Sequence, residues 1–206
     1  MKLSKAHFYK DTEENFQSTY SFFADESIQI SELTDHVIKI SKSKGFEEKQ
    51  THIITKDSDW AFLSSENENL DLFGSKKIIE IKLLGIGPGN KGSKAIKDYC
   101  LSPDQSKLLI VHAERLDKKQ QTSAWAKALE SSGVLIVEPP INKNSMPSWI
   151  KGKSQDLNIN ITEEAIHLLA EKTEGNLLAT SQELMKLVLL FPSQDISIKD
   201  LSLIHI

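Results

Sequence analysis

The sequence predicts an α/β fold in which a parallel sheet with flanking helices is followed by a small helical domain. Three observations predict it. Short apolar runs alternate with stretches of helical periodicity through residues 1–139. Two of these runs, residues 108–111 and 134–137, are apolar at every position, which is typical of central strands covered on both faces. Beyond Pro139 and Pro140 only helical patterns remain.

Five strands are predicted in the first domain, each as a short apolar run. They lie at residues 20–23, 52–55, 77–84, 107–112 and 134–138. Ile28, Leu33 and Val37 recur near helical spacing after the first strand, and residues 122–129 form an amphipathic stretch before the last. Helices between successive strands are what parallel pairing requires.

The two consecutive prolines place the domain boundary. Proline has no amide hydrogen to donate to a strand ladder, and it restricts the residue before it. We therefore predict an α/β domain over residues 1–139 and a helical domain over residues 140–200. Helices are predicted there at residues 145–153, 162–172 and 176–191, with Thr162 as an N-cap, Gly175 as a C-terminal stop and Pro192 after the last helix.

Composition limits the classes of function. Apolar residues are 39% and charged residues 26% of the 206, which is ordinary for a folded protein. No apolar run approaches the roughly 20 residues that span a bilayer, and the single Cys100 cannot form an internal disulfide, so we expect a cytoplasmic protein. The net charge is -4 and Arg115 is the sole arginine. We therefore expect DNA contacts to be weak and made by lysines.

Residues 87–92 match the pattern G-x-G-x-x-G of dinucleotide-binding turns. That pattern belongs to the first strand-to-helix turn of its fold, whereas at least two predicted strands precede it here. Pro88, Asn90 and Lys91 are typical of a surface loop, which we predict. A phosphate loop is absent because Ser93 and Lys94 stand in the reverse order. An enzyme that binds a nucleotide through residues 87–92 remains the alternative.

No other pattern indicates catalysis. The six histidines are scattered, there is no cysteine pair for zinc, and no G-x-S-x-G nucleophile turn occurs. We therefore expect no catalytic residue, no metal and no cofactor.

One short apolar motif stands out in a polar stretch. It consists of Asn69, Leu70, Asp71, Leu72 and Phe73, and it follows the polar residues 64–68. The three apolar side chains have two interpretations: they are part of the core, or they bind a partner.

Motifs spread along most of the chain resemble one family. They comprise Gly45-Phe46-Glu47-Glu48, Asp59-Trp60, Leu72-Phe73-Gly74, Leu116-Asp117-Lys118-Lys119-Gln120-Gln121 with Trp125, Met146-Pro147-Ser148-Trp149-Ile150, and Glu174-Gly175-Asn176-Leu177-Leu178-Ala179. In order and spacing the chain resembles the delta subunit of the bacterial DNA polymerase III clamp loader.

This resemblance implies an AAA+-like fold, of the RecA or Rossmann type, followed by a helical lid domain. It also implies a third, collar domain, which we expect to be missing from this chain. The resemblance further implies loss of ATP binding, and the sequence agrees with that loss. Where an active AAA+ protein has its phosphate loop, this chain has Asp25 and Glu26, whose carboxylates would repel phosphate.

The resemblance also assigns a role to the apolar motif. Peptides that bind the sliding clamp follow the pattern Gln, Leu, Ser or Asp, Leu, Phe, and residues 69–73 match four of the five places. The implied partners are the sliding clamp, or beta subunit, the gamma/tau and delta prime subunits of the loader, and DNA within the complex. A remaining alternative is an AAA+-like adaptor in which Leu72 and Phe73 are buried.

The last six residues, 201–206, do not resemble the family's continuation. CTG TCT CTT ATA CAC ATC is one possible coding for them, and it equals a transposon end used in sequencing libraries. We expect this tail to be non-native, and genomic DNA that reads through in frame with the same six residues would contradict this expectation.

Overall fold

A five-stranded parallel sheet organises the first part of the chain, with strand order β2-β3-β4-β1-β5. Its strands are β1 (Thr19–Ala24), β2 (Phe46–Ile54), β3 (Lys76–Leu84), β4 (Lys107–Glu114) and β5 (Val134–Val137). All four strand pairs are parallel, so each connection crosses a face of the sheet. The predicted α/β class is therefore confirmed.

The computed structural model describes residues 1–68, 76–85, 87–192 and 195–203. The chain divides into two compact units, Met1–Pro139 and Pro140–Ile206. The helices of the first unit are α1 (Lys5–Glu14), α2 (Ser27–Ser43), α3 (Ala61–Glu68), α4 (Gly89–Leu101), α5 (Lys118–Gln121) and α6 (Ala124–Ser132).

Two apolar layers lie on the two faces of the sheet. Strand β4 shows why, because its successive side chains point to opposite faces. Leu109 and Val111 join the layer under α3, α4 and α6, whereas Leu108 and Ile110 join the layer under α1 and α2. All four side chains are fully buried. The prediction that this run is a central strand is confirmed. The same prediction is wrong for residues 134–137, which form β5 at the edge of the sheet, where the start of the chain covers it.

The edge strand β2 differs from its prediction. It begins at Phe46, six residues before the predicted start, and residues 47–51 are exposed and charged or polar. An edge strand can carry such residues because one face and one side are open to water. At the opposite edge Leu3 donates a backbone hydrogen bond to Leu135 of β5 at 3.1 Å, so the start of the chain covers that edge.

The second unit is mainly helical. Its elements are α7 (Met146–Asp156), β6 (Asn160–Ile161), α8 (Glu163–Lys172), α9 (Leu177–Leu190), β7 (Asp195–Ile196) and α10 (Ile198–Leu203). Thr162 caps α8 as predicted, since its hydroxyl accepts a hydrogen bond from the amide of Ala165 at 3.3 Å. Gly175 has a φ of 85°, a left-handed conformation suited to a helix stop.

Leu201, the first residue of the expected non-native tail, is fully buried in this second unit. It belongs to α10, whose start is held by Asp200. The carboxylate of Asp200 accepts hydrogen bonds from the amide and hydroxyl of Ser197 at 2.8 and 2.7 Å.

No helix among the described residues is both long and apolar enough to cross a lipid bilayer.

Candidate functional site

The predicted clamp-binding residues, Asn69, Leu70, Asp71, Leu72 and Phe73, lie outside the residues that the structure describes. The structure does describe both flanks. Helix α3 ends at Glu68 and strand β3 begins at Lys76. We call the residues between these two elements the 69–75 segment.

Aromatic stacking fixes the helix that precedes the 69–75 segment. The ring of Phe62 in α3 stacks on the imidazole of His52 in β2, with 3.7 Å between centroids and 9° between planes. Phe62 also lies 5.8 Å from the ring of Trp60. Leu63 is buried in the core beside it, and the Asp59 carboxylate accepts a hydrogen bond from the amide of Ala61 at 3.0 Å. The start of α3 is thus held on β2 and on the core.

A lysine fixes the strand that follows the 69–75 segment. Lys76 Nζ donates a hydrogen bond to the carbonyl oxygen of Lys44 at 2.8 Å. The same ammonium lies 5.4 Å from the centroid of the Phe46 ring, a cation–π distance. Phe46 is buried and packs against Phe16, over which the ammonium of Lys44 lies at 5.2 Å. The first residue of β3 therefore contacts both the turn before β2 and the aromatic ring at the start of β2.

The connection between β1 and α2 is the one that the sequence resemblance equates with the phosphate loop of an active AAA+ protein. It contains only Asp25 and Glu26, because β1 ends at Ala24 and α2 begins at Ser27. A phosphate loop needs a longer glycine-rich turn whose amides surround the phosphates. Two acidic residues provide neither the length nor the charge for that role.

The glycine-rich residues 87–92 are only partly a loop. Gly89 begins α4 directly after Pro88, so the predicted surface loop is wrong for residues 89–92. A proline with φ of -69° is already suited to a helix start, which explains why the helix begins so early. Gly89 has a φ of 66°, a conformation that favours glycine.

Packing accounts for the last of these glycines. A Cβ atom at Gly92 would lie 2.3 Å from two ring carbons of Trp60 and 2.7 Å from the Cβ of Pro88. Helix α4 therefore packs closely on Trp60, the residue before α3, because position 92 has no side chain. The glycine spacing that suggested a dinucleotide turn has a structural cause at this position.

We expect Gly92→Ala to destabilise the first unit by about 1–3 kcal/mol, because the buried indole of Trp60 must move to admit a methyl group. Gly152→Ala in α7 is the matched control, since a Cβ there meets nothing within 4 Å. Urea unfolding of both variants measures the difference. Equal stability of the two variants would show that the close approach at Gly92 is unimportant.

A buried polar cluster lies between α2 and the sheet. Glu80 in β3 is 2% exposed and accepts hydrogen bonds from the Thr51 hydroxyl at 2.6 Å and from Lys49 Nζ at 3.1 Å. Its other carboxylate oxygen lies 3.5 Å from Lys82 Nζ and 3.5 Å from His112 Nε2. Burial opposes ionisation of Glu80, but the donors, led by Thr51, outweigh it and lower the pKa of this carboxyl.

His112 in β4 is the second buried titratable group of this cluster. Its Nε2 lies 2.9 Å from Thr34 Oγ1, and that hydroxyl lies 2.8 Å from the carbonyl oxygen of Ile30, to which it donates. The Thr34 oxygen therefore accepts from His112, which assigns the proton to Nε2. Burial lowers the pKa of His112 to about 4 despite the nearby carboxylate of Glu80. Neither Glu80 nor His112 was singled out from the sequence. Strands are predicted from their apolar residues, and such a pattern does not show which polar side chains of different strands meet.

This cluster lines a cavity of about 200 Å³. Ser27, Ser31 and Asp35 of α2 line the same cavity. Both oxygens of Glu80 already contact donors within the protein. The polar groups thus satisfy one another, which makes this a structural cluster.

Lysines gather on the surface formed by α4, α5 and α6. They are exposed and comprise Lys91, Lys94, Lys97, Lys118, Lys119 and Lys127. Within the described part of the chain none of the six forms an ion pair. We call this surface the lysine face. The same helices and the N-cap of α5 also carry Asp98, Asp117 and Glu130, which leaves a local excess of positive charge on a chain of net charge -4.

Among the described residues no group of three or more histidine, cysteine or acidic side chains could hold a metal ion. Cys100 is half-buried, and burial raises the pKa of its thiol to about 11, which makes it a poor nucleophile.

Comparison with solved structures identifies the fold. The Bacillus subtilis DNA clamp loader delta protein superposes with a TM-score of 0.72 at 17% identity, covering 96% of this chain and 61% of that one. A point mutant of Thermotoga maritima RuvB superposes with a TM-score of 0.52 at 10% identity, covering 96% of this chain and 65% of its own. At these identities the likeness concerns the fold, which is AAA+-like as the sequence resemblance implied.

Comparison of sequences identifies relatives. The DNA polymerase III subunit delta of Escherichia coli K12 is 29% identical over 183 residues, covering 87% of this chain and 52% of that protein. The corresponding subunit of Haemophilus influenzae is 27% identical over 184 residues, covering 86% of this chain and 52% of its own length. The chain therefore spans about half the length of these relatives.

A family model described as DNA polymerase III, delta subunit, matches residues 20–138. That stretch is more than half of the 206 residues and runs from β1 through β5, so it includes nearly the whole sheet. The chain belongs to the DNA polymerase III delta subunit family.

Proposed function

We propose that this chain binds the ring-shaped sliding clamp through residues 69–73 and opens it for loading onto DNA. One observation carries the proposal. Asn69, Leu70, Asp71, Leu72 and Phe73 match the clamp-binding peptide pattern at four of five places, in a chain that belongs to the delta family. Leu72 and Phe73 would be the apolar anchors that fill a pocket on the clamp, where a few residues supply most of the binding energy.

Opening would follow from a difference in affinity. A protein that binds the open ring more tightly than the closed ring shifts the clamp toward the open form, and only this difference drives the change. ATP hydrolysis would take place in the gamma/tau subunits, which together with delta prime are the proposed partners in the loader. The short acidic connection at Asp25 and Glu26 supports a nucleotide-independent role for this chain.

A ring labelled with a pair of fluorophores across one subunit interface tests the proposal. Addition of the chain should lower the energy transfer between them, without any nucleotide, because the fluorophores separate as the ring opens. A chain that binds the clamp but leaves the transfer unchanged would limit the function to binding. Micromolar binding of ATP or NAD that Gly89→Asp abolishes would instead favour the nucleotide-binding enzyme.

We further propose that DNA contacts the lysine face while the chain is part of the loader. When exposed lysines without ion-pair partners contact phosphates, counterions condensed on the DNA are released, and this release supplies sequence-independent affinity. The face is the described surface on which such lysines gather on three neighbouring helices. Autonomous DNA binding by the chain should be weak, because its net charge is negative.

Replacing Lys91 and Lys94 by glutamine should reduce DNA affinity at low salt. It should also lower the slope of log affinity against log salt by about 2, since each phosphate contact contributes about 0.9. Lys39→Gln with Lys42→Gln is the matched control, because these exposed lysines have the same spacing on α2, across the sheet. Equal slopes for the two double variants would remove the lysine face from the DNA-binding surface.

A further inference from the structure

We propose that the α-amino group of Met1 is an acylation-sensitive site, which holds residues 1–3 over the edge of β5 while it is unmodified and charged. These residues belong to none of the motifs that the sequence offered, and their contacts are separate from the proposed clamp-binding residues. Backbone contacts of residues 1–3 with α6 and with β5 support the proposal.

The ammonium group of Met1 lies at the carboxyl end of α6. It donates hydrogen bonds to the carbonyl oxygens of Glu130 and of Gly133, the latter at 2.5 Å. The last four carbonyl groups of a helix have no amide partner within it, and the helix dipole places partial negative charge on them. Helix α6 has no basic residue in its last turn, and Gly133 is its C-cap. The ammonium of Met1 therefore supplies the positive charge that this helix end lacks.

Residues 1–3 pair with β5 directly beside this contact. The amide of Leu135 donates to the carbonyl oxygen of Met1 at 2.9 Å, and the amide of Leu3 donates to the carbonyl oxygen of Leu135 at 3.1 Å. Lys2 thereby forms a parallel bridge with Leu135, whose side chain is buried. The amide and carbonyl of Leu135 that face away from β1 thus find their partners in residues 1–3.

The strand that residues 1–3 cover is prone to association when it is open. Residues 134–137 make up β5, and all four are apolar. An uncovered edge of consecutive apolar residues is a template for pairing between chains. A formyl or acetyl group on the α-nitrogen removes its charge, and a residue placed before Met1 moves the charge away from α6. Either change should release residues 1–3 and open this edge.

Hydrogen exchange of single amides in the full chain tests the proposal, because the amide of Leu135 reports opening of this edge. Four altered forms are compared with the unmodified chain. An N-formylated chain keeps its length but lacks the charge, and a chain with Gly-Ser before Met1 carries its charge two residues away. Lys2→Gln is the control for loss of one exposed positive charge at the same end. Gly-Ser added after Ile206 is the control for the dipeptide.

The amide of Leu135 should exchange about 5- to 30-fold faster in the N-formylated chain and in the chain extended before Met1, as expected when a charge is lost from a helix end. The amide of Leu109 in β4, which donates to the carbonyl oxygen of Ser18 at 2.8 Å, should keep its rate in every form. In both controls Leu135 should exchange as it does in the unmodified chain.

Three results would overturn the proposal. If the N-formylated chain protects Leu135 as well as the unmodified chain does, the charge of the ammonium does not hold residues 1–3. If Lys2→Gln accelerates exchange at Leu135 by the same factor, any positive charge at this end has the effect. If Leu109 is accelerated as much as Leu135, the modification destabilises the whole first unit instead of opening its edge. The clamp takes no part in these measurements, so their failure would leave the proposed function standing.

Discussion

Replacing Leu72 and Phe73 together by alanine should remove most of the affinity for the sliding clamp and leave the stability of the chain nearly unchanged. Apolar anchors at the centre of an interface commonly contribute about 2 kcal/mol or more each, which is roughly thirtyfold in affinity per side chain. If the two side chains were core residues instead, their truncation would cost about 2–5 kcal/mol each in stability. Clamp titration and thermal melting of one double variant distinguish these cases.

A matched control uses an exposed leucine far from the motif in sequence. Leu101, at the end of α4, is 84% exposed, so Leu101→Ala should change neither the melting temperature nor the clamp affinity. A double variant at Leu72 and Phe73 that melts far below the wild type would show that the pair is core, as in the adaptor alternative. One that melts normally and still opens the clamp would remove the proposed mechanism.

The centre of the sheet could be predicted from the sequence because a strand that is buried on both faces carries apolar residues at every position. Strand β4 is apolar from Leu108 to Val111, and each of these side chains is fully buried. Strand β2 was predicted only at its end. Its first residues pair with β3 but face water, so their composition is that of a loop although their hydrogen bonds are those of a strand.

Helix α1 had no prediction, and its packing explains the omission. Phe8 is fully buried beside Tyr20 and Phe22, with ring centroids 6.1 and 5.6 Å away. Most of the helix is polar, so it lacks an apolar stripe of several residues that would signal it. Phe8 holds this helix on the sheet and the neighbouring Tyr9 packs on His36 of α2, with ring centroids 4.7 Å apart, but two adjacent residues give no periodicity.

Of the candidate sites, too, one could be predicted from the sequence and the others could not. The motif at residues 69–73 is a continuous peptide, so sequence comparison could find it. The contacts of His52, Phe62 and Lys76 join residues that are distant in sequence and brought together by pairing of β2 with β3. The cluster of Glu80 and His112 likewise depends on neighbouring strands. Such arrangements become visible only when the strand order and register are known.

The burial of His112 should make the stability of the first unit sensitive to acid above pH 5. Its pKa is about 4 in the fold and about 6.5 in an unfolded chain, so between these values the unfolded state binds more protons. The stabilising contribution is complete above pH 6.5 and is lost as the pH falls toward 4. From pH 7 to pH 5 the free energy of unfolding should fall by about 2 kcal/mol on this account.

His112→Gln isolates this effect, because glutamine is always neutral and its amide can donate to Thr34 in place of Nε2. Between pH 7 and pH 5 the free energy of unfolding of the variant should fall by about 2 kcal/mol less than that of the wild type. Urea unfolding of the first unit, followed by the NMR signals of the backbone amides in β1 and β4, measures this difference. His7→Gln, an exposed position in the same unit, should keep the wild-type response. Glu80 does not obscure the comparison. Its pKa is lowered in the fold, so the stability that it contributes is lost only as the pH falls below the ordinary pKa of a carboxyl, which lies under pH 5. If His112→Gln falls as steeply as the wild type, the acid response arises elsewhere and the buried histidine does not set it.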